Sequence, residues 1–369
     1  MNRFLILTLT GCFLLGNIMA QGNGEWKEAP EVNLAGYLDV FYAYDFNRPE
    51  SGIRQPFLYN HNRHNQVNLN HGILGLGISH PKYRVGLAFH TGTYVMDNYV
   101  NEPGVLKNIY EAYVGLALNK KNNLWLDVGI FGSFIGFASP KSIENWTLTR
   151  SLCAEGSPYF LTGARVSYTL NEKWEISASI LNGWQRIQMV EGNSLPSFGT
   201  QVLFTPNDRL LLNWSTFVGT DDPDATRRMR YFNNFYAQLD ISDKLGLIAG
   251  VDIGFQQESK GSSNYDNWMA LVLILQYQIS EKWAMAFRGE NYSDQYGVIV
   301  PTGTPNGFNT SGLSVNGDFR PIPDLACRME IRWLNSVDQV FAKEDSFTNN
   351  NVFIVLSVAY SLNVLLSGR

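Results

Sequence analysis

The sequence predicts an all-β protein: a transmembrane antiparallel up-and-down β-barrel of about 16 strands. Three observations predict it. Apolar side chains recur at every second position, short turns alternate with long polar loops, and only 17% of the 369 residues are charged, whereas soluble domains carry roughly 25%. Beyond residue 20 no run approaches the roughly 20 apolar residues that a spanning helix needs, so strands would have to cross the membrane.

The first twenty residues have the pattern of a secretory signal. Arg3 precedes an apolar run, and Ala20 offers a cleavage site. A lipoprotein cleavage box ending at Cys12 is an alternative, but it would shorten the apolar run. Removing Arg3 leaves 27 positive and 33 negative side chains, a net charge of −6 that excludes a basic nucleic-acid-binding protein. We predict a signal peptide at 1–20, a short periplasmic segment at 21–31 and one barrel domain at 32–369.

Strand alternation is clearest near the end of the chain. Positions 283, 285 and 287 are Trp, Met and Phe, whereas the even positions from 284 to 290 are Ala, Ala, Arg and Glu. Positions 325–333 repeat the pattern, with Arg, Glu and Arg at 328, 330 and 332. Each such strand has one apolar face and one small or charged face. Similar alternation occurs at 32–45, 83–90, 124–131, 160–170, 174–181, 210–217 and 245–256.

The connections between these segments are of two kinds. Seven are tight turns, at 81–82, 119–123, 171–173, 206–208, 242–244, 280–282 and 321–324. Eight are longer and polar, near 48–64, 97–107, 137–158, 185–196, 220–229, 257–265, 293–310 and 337–349. Fifteen connections imply sixteen strands, with short periplasmic turns and long extracellular loops.

A soluble β-sandwich could also bury one apolar face per strand. The barrel is favoured because the strands are long, numerous and even in number, and because Trp174 and Trp283 directly follow tight turns, where an interfacial aromatic girdle belongs. A closed barrel also leaves no unpaired backbone edge in lipid.

Several segments, in order, resemble the family of OmpL-like beta-barrel porins of the bacterial outer membrane. The segment 35–45 is similar to the family's first strand and 68–70 to the start of its second. The stretch 132–168 resembles its third-loop signature, through Asn145, 149–151, 158–159 and Gly163. The strand ends 288–294 and 328–333 are similar to its late Arg-x-Glu strands.

The resemblance covers nearly all of the mature chain and implies a channel in the outer membrane of a Gram-negative bacterium. It further implies transport of small hydrophilic solutes, contact with outer-membrane lipid, recognition by the barrel assembly machinery and a possible homotrimer. The chain departs from the usual terminal aromatic residue: Tyr360 and Leu362 are followed by a tail at 364–369.

If the apolar face meets lipid, the charged side chains of the other face line the pore. Six positive and eight negative side chains predict weak charge selectivity, although neighbouring pairs could also serve only to stiffen the wall. The predicted pore-lining residues are Asp39, Arg84, Glu111, Asp127, Arg165, Glu175, Arg230, Asp240, Asp252, Arg288, Glu290, Arg328, Glu330 and Arg332.

The segment 137–158 is the predicted constriction loop, because Lys141, Glu144 and Arg150 place both charge signs on it. A loop packed over the mouth as a lid is the alternative. Sixteen-stranded barrels are wide enough to leave an aqueous channel unless something folds inside.

Metal, cofactor and catalytic sites are not expected. His61 and His64 have a plausible metal-ligand spacing, but no cysteine or clustered carboxylate completes the set. The acidic run 221–224 could hold a surface calcium ion or simply form a turn. Cys153 and Cys327 are too few and too far apart for a disulfide framework.

No hydrolase or phosphate-binding motif is present, so we do not expect an enzyme. The principal expectation is a passive porin. The alternatives are a non-channel barrel that binds a partner through its extracellular loops and, less favoured, a barrel hydrolase.

Overall fold

The computed structural model describes residues 28–367. The predicted signal peptide at 1–20 and its cleavage site lie outside the described residues, as do most of the segment 21–31 and the last two residues of the tail.

Sixteen antiparallel strands form one closed barrel in which each strand pairs with its neighbours in sequence, and β1 closes the ring against β18. This confirms the predicted fold class and strand number. The barrel strands are β1 Glu31–Asp45, β2 Val67–Ser79, β3 Tyr83–Thr91, β4 Ile109–Ala117, β5 Leu124–Gly132, β6 Phe160–Asn171, β7 Trp174–Leu181, β8 Ser197–Asn207, β9 Leu210–Gly219, β10 Arg230–Asp240, β11 Leu245–Gln257, β12 Tyr265–Gln278, β13 Trp283–Asp294, β14 Phe308–Ile322, β15 Leu325–Ser336 and β18 Asn350–Ser367.

The remaining elements are short and lie in the long loops. A two-stranded hairpin, β16 Phe341–Lys343 with β17 Ser346–Thr348, occupies the last loop. Helices α1 Thr93–Asn98 and α2 Leu152–Glu155 and two 3₁₀ turns, Gly104–Asn108 and Ser142–Glu144, lie in the second and third loops. Among the described residues no helix combines the length and apolar character needed to span a membrane.

The tight turns all lie at one end of the barrel, the turn end, and the long loops at the other, the loop end. This follows from the up-and-down order of the strands. The tail segment Leu362–Ser367 continues β18 toward the turn end and pairs with the first residues of β1, from Gly36 to Val32. The chain beyond Tyr360 therefore adds length to the closing strand pair.

Strand parity separates the two faces as the alternation predicts. On β13, Trp283 and Phe287 are about half exposed (50% and 49%), whereas Arg288 is 2% exposed. On β15, Ile331 is 47% exposed and Arg332 is fully buried. The outer surface is thus a continuous apolar band, the surface that a lipid-facing barrel presents.

The barrel interior contains a hydrophobic core that strand alternation alone did not predict. On β12 the inward side chains Trp268, Val272 and Ile274 are as apolar as their outward neighbours and are almost fully buried. They pack in one cluster with Phe134 and Leu148 of the third loop. Both faces of this strand are apolar because one faces outward and the other is covered by a loop that folds inside.

Candidate pore constriction

The third long loop, residues 133–159 (loop 3), enters the barrel. Near the start of the loop, the carbonyl of Phe134 accepts a hydrogen bond from Ser215 Oγ at 2.9 Å. Farther along, the carbonyl of Ile143 accepts one at 2.6 Å from Arg320, two residues before β14 ends at the turn end. Loop 3 therefore runs along the inner wall almost to the turn end, and a lid over the mouth does not describe its position.

Four buried charges hold the middle of loop 3. Arg288 and Glu290 on β13 and Glu330 and Arg332 on β15, which we call the four-charge cluster, have no exposed side-chain surface. Arg332 Nε lies 2.8 Å from Glu290 Oε1, and Arg288 donates to Glu330. Two positive and two negative charges sum to zero, as burial requires.

The four-charge cluster also binds the backbone of loop 3. The amides of Thr149 and Leu152 donate to Glu330 at 2.6 Å and to Glu290 at 2.8 Å. In the other direction, Arg288 Nη1 donates to the Thr149 carbonyl at 2.6 Å. Charge-assisted hydrogen bonds of this kind are about twice as strong as neutral ones. The cluster therefore anchors the loop to the barrel wall.

The intervening strand β14 makes room for the four-charge cluster. Gly312 pairs with Glu290 on one side and with Leu334 on the other. A Cβ atom at Gly312 would lie 2.9 Å from Glu290 Oε1 and 2.7 Å from the Leu334 side chain. Glycine is therefore needed here so that side chains from β13 and β15 can meet across β14.

A second anchor holds the tip of loop 3 near the turn end. Arg328 forms a two-pronged ion pair with Asp318, at 2.7 and 2.8 Å. The same guanidinium donates to the carbonyls of Ser142 and Asn145, the latter at 2.9 Å. The amide of Ser142 in turn donates to the Tyr37 hydroxyl at 2.9 Å. This anchor joins the loop tip to β1, β14 and β15.

Aromatic side chains of loop 3 fill spaces left by inward-facing glycines of the wall. A Cβ atom at Gly246 would lie 2.5 Å from the indole ring of Trp146, and one at Gly250 would lie 3.2 Å from Phe137. Both glycines belong to β11. Side chains at these two positions would push the loop away from the wall.

The opposite wall, from β3 to β7, remains partly exposed to solvent. Arg84 and Arg165 have 34% and 23% of their side-chain surface exposed and hold the buried carboxylate of Asp127 between them, at 2.6 and 3.4 Å. Glu111 and Glu175 are also partly exposed. Mixed charge therefore lines the part of the lumen that loop 3 does not fill.

The tip of loop 3 contributes two partly exposed charges to this space. Lys141 and Glu144 form an ion pair at 3.0 Å with 26% and 47% of their side-chain surface exposed. Lys141 is also close enough to Glu111 for the two charges to attract. The space between these two residues and the β3–β7 wall is the candidate passage.

The structure divides the sequence-predicted pore residues into three groups. Seven are buried in contacts with loops or neighbouring strands: Asp39, Asp252, Arg288, Glu290, Arg328, Glu330 and Arg332. Asp127 is buried between two arginines of the candidate passage. Six are partly or fully exposed: Arg84, Glu111, Arg165, Glu175, Arg230 and, at the turn end, Asp240.

Arg150, which the sequence places on the constriction loop, does not face the candidate passage. Its side chain is 4% exposed, and its guanidinium lies 3.4 Å from the centre of the Tyr159 ring. It also donates to the Ala154 carbonyl at 3.2 Å. Arg150 therefore stabilises the fold of the loop itself.

The histidines are dispersed through the first loops and strands. His61 lies 2.9 Å from Asp39, and His71 lies 3.0 Å from His90. The backbone amide of Asp45 donates to His64 at 3.0 Å. Within residues 28–367, no three His, Cys, Asp or Glu side chains are grouped so that they could hold a metal ion.

The other site alternatives raised by the sequence have simple structural roles. In the acidic run, Asp221 accepts from the Trp184 amide at 2.8 Å and Asp222 pairs with Arg228 at 2.7 Å. Cys153 and Cys327 are free cysteines. Cys153 is buried, with its thiol 3.0 Å from Asp252.

Two important residues were missed by the sequence reasoning. Asp318 occupies an inward position of β14, directly opposite Arg328 of β15, so applying strand parity to this segment would have found it. Arg54 lies in the first loop, fully buried, with its guanidinium 3.6 Å from the centre of the Phe353 ring. No periodicity exists in a loop, so no local signal identifies Arg54.

Comparison with solved structures shows the same fold in outer-membrane channels. The outer membrane channel DcaP of Acinetobacter baumannii is 13% identical with a TM-score of 0.58, covering 90% of this chain and 98% of that one. The anion-selective porin from Comamonas acidovorans is 9% identical with a TM-score of 0.60, covering 90% and 100%. OmpT of Vibrio cholerae in its trimer form is 9% identical with a TM-score of 0.56, covering 91% and 100%.

A comparison with curated protein sequences finds no significant match. The family model described as "Putative beta-barrel porin-2, OmpL-like" matches residues 31–362, which is almost the whole barrel. This agrees with the resemblance carried by the third loop and the late Arg-x-Glu strands. The chain therefore belongs to the OmpL-like beta-barrel porin-2 family and is a porin of the bacterial outer membrane.

Proposed function

We propose that small hydrophilic solutes diffuse passively through the candidate passage, and that loop 3 forms its constriction. The observation that carries this proposal is the pair of partly exposed charged surfaces facing each other, Lys141 and Glu144 on the loop tip and the arginines and glutamates of the β3–β7 wall. The turn end would face the periplasm and the loop end the exterior, as in other porins.

The charges along the candidate passage support weak ion selectivity. The partly exposed side chains are three positive and three negative: Arg84, Arg165, Lys141, Glu111, Glu175 and Glu144. Strongly selective channels use rings of one sign. A reversal potential near zero in a salt gradient would support this assignment, and a large one of either sign would contradict it.

Single-channel recording in planar bilayers tests the proposal. The refolded protein is expected to give discrete conductance steps, and deleting 137–158 to raise the step size. Because that deletion also removes part of the internal core, a second variant, K141A/E144A, keeps the loop and shortens only the two exposed side chains; a smaller rise is expected. Shortening the exposed loop 258–264 is the control.

Absence of conductance steps from correctly folded protein would count against the channel. Steps of unchanged size in both the deletion and the double variant would remove the constriction role and leave the channel intact. Detection of conductance steps would also argue against the alternative of a non-channel barrel that binds partners through its loops. Lipase and protease assays on the same sample test the hydrolase alternative, for which we expect no activity.

We further propose that the barrel assembles as a homotrimer, because the similar OmpT structure has a trimer form. The continuous apolar band would contact outer-membrane lipid or a neighbouring subunit. Cross-linking in native outer membranes is expected to give a species of three times the monomer mass, and monomer alone would contradict the proposal. We also propose that residues 1–20 are a signal peptide that is cleaved after Ala20. The barrel assembly machinery would then recognise the exported chain.

A further inference from the structure

A polar cavity of about 610 Å³ lies beneath the tip of loop 3 at the turn end. Its roof is the backbone and side chains of 143–146, held in place by hydrogen bonds from Arg320 and Arg328. Its walls come from β12, β13 and β14. The volume lies within the range of about 300–1,000 Å³ that is typical of small-molecule sites.

Two cations face each other across neighbouring strands of this cavity. The amide of Arg320 donates to the Lys282 carbonyl at 2.8 Å, so the two residues are directly opposite, and both side chains line the cavity. Like charges in this position are destabilising. Among residues 28–367 neither side chain forms an ion pair with a carboxylate, and Asp318, the acidic residue whose charge attracts Arg320, is itself paired with Arg328.

The carboxylates that line the cavity compensate these cations only in part. Asp318 is already held by both prongs of Arg328. Glu144 pairs with Lys141 at 3.0 Å. Asp324 is exposed in the last tight turn, at the rim. The interior of the cavity therefore has an excess of positive charge.

The rest of the lining is suited to a polar body that carries hydroxyl groups. Gln276 and Gln278 line the cavity from successive inward positions of β12, and the Gln278 amide nitrogen also donates to the Ser280 carbonyl at 2.6 Å. Trp146 contributes part of an indole ring whose other edge packs over Gly246. Amides can both donate to and accept from hydroxyl groups, and an aromatic ring supplies an apolar contact surface.

We propose that this cavity binds a small hydroxyl-bearing organic anion, of the size of a sugar acid or sugar phosphate. Lys282 and Arg320 bind the anionic group, and Gln276, Gln278 and Trp146 contact the body. As a step in transport this rests on the proposed diffusion function, whereas binding itself does not require conduction. The anion relieves the repulsion between the two cations, which makes the site specific for charge.

Calorimetric titration of the full-length protein in detergent tests binding, with glucuronate and glucose as probes. The two are similar in size and differ in the carboxylate. Glucuronate is expected to bind about five- to tenfold more tightly than glucose at low salt, because a hydrogen bond to a charged group contributes more than a neutral one. The difference should shrink as salt is raised.

The variant K282Q isolates the site, because Lys282 is exposed and supports no loop contact. It is expected to lose most of the preference for glucuronate, while the control K173Q, in another turn of the same end, keeps it. W146F is expected to weaken both probes and leave their ratio unchanged. Equal affinity for the two probes, or equal effects of K282Q and K173Q, would overturn the proposal.

Binding of glucuronate and conduction through the passage can succeed or fail independently. If the protein binds glucuronate but gives no conductance steps, the site stands and the diffusion function fails. If it conducts but does not prefer glucuronate, the site fails and the diffusion function stands. Inorganic phosphate is a third probe. A site that binds only a free anionic group would bind phosphate as tightly as glucuronate, which would contradict the proposal. The proposed site also contacts the hydroxyl-bearing body and should bind phosphate more weakly.

Discussion

The substitution E330Q tests whether the four-charge cluster holds loop 3 inside the barrel. Glu330 has no exposed side-chain surface and accepts from the Thr149 amide, the Thr149 hydroxyl and Arg288. Glutamine keeps the size of the side chain but removes its charge. Two buried arginines would then share the single carboxylate of Glu290.

The expected cost follows from this uncompensated charge. Removing one partner of a buried ion pair typically destabilises by about 3–5 kcal/mol. If this loss falls on the contact between loop 3 and the wall, about 3 kcal/mol shifts the equilibrium between docked and released loop by roughly a hundredfold. The double substitution R288Q/E330Q restores zero net charge to the cluster. It is expected to recover at least about 1 kcal/mol of the lost stability, because the effects of substitutions at contacting residues are not additive.

Two measurements report the position of loop 3. Open-channel current noise should increase in E330Q as the loop fluctuates, and trypsin should cleave after Lys141 more rapidly. E281Q, an acid-to-amide change in an exposed turn, is the matched control. If E330Q matched E281Q in both measurements, or if the double variant were cleaved faster than E330Q, the cluster would not be the anchor we infer.

Three further predictions concern other parts of the molecule. G246L should displace the indole ring that packs over this glycine and increase proteolysis of loop 3, whereas G317L on the outer face, with nothing within 4 Å of its Cβ, should not. K141E should shift the reversal potential toward cation preference, because it changes the charge of the candidate passage by two; no shift would remove Lys141 from the passage. In the fifth loop, burial would raise the pKa of Asp222, but the hydrogen bond and charge of Arg228 outweigh burial and hold that pKa below its ordinary value. The stabilisation is present above the unfolded pKa of about 3.9 and is lost as pH falls through the lower folded value. Proteolysis of this loop should therefore rise in strong acid in the wild type and rise less steeply in D222N, and equal rises in both would contradict the assignment.

Strand positions and strand faces could be predicted from the sequence because they depend on neighbours in the chain. The parity that placed Arg288 and Arg332 on the inner face is local information. The path of loop 3 is not, since its contact from Thr149 to Glu330 joins residues 181 positions apart. Local alternation shows which side chains face inward, but it does not show which of them another segment will cover.

Two sequence features nevertheless carry information about the covered wall. Inward positions of β12 are apolar at Val272 and Ile274. An inner wall in contact with water would be expected to carry polar side chains at such positions. Inward positions of β11 are glycine at Gly246 and Gly250, which leaves space for aromatic rings. Apolar or absent side chains at inward positions indicate that an internal segment packs against these two strands.

The inner wall is therefore two surfaces with different chemistry. From β11 to β15, apart from the polar cavity at the turn end, it is a protein core: its charges are balanced, buried and bonded to loop 3, as Arg332 is. From β3 to β7 it is a solvated surface, where Arg165 keeps part of its side chain in water. A charged inward residue contributes to the fold on the first surface and to the passage on the second. Because residue type and strand parity are the same in both cases, the path of loop 3 decides the role. Charges that the loop covers, such as Glu290 and Arg332, are buried and anchor it, whereas charges that it leaves uncovered, such as Arg165, line the passage.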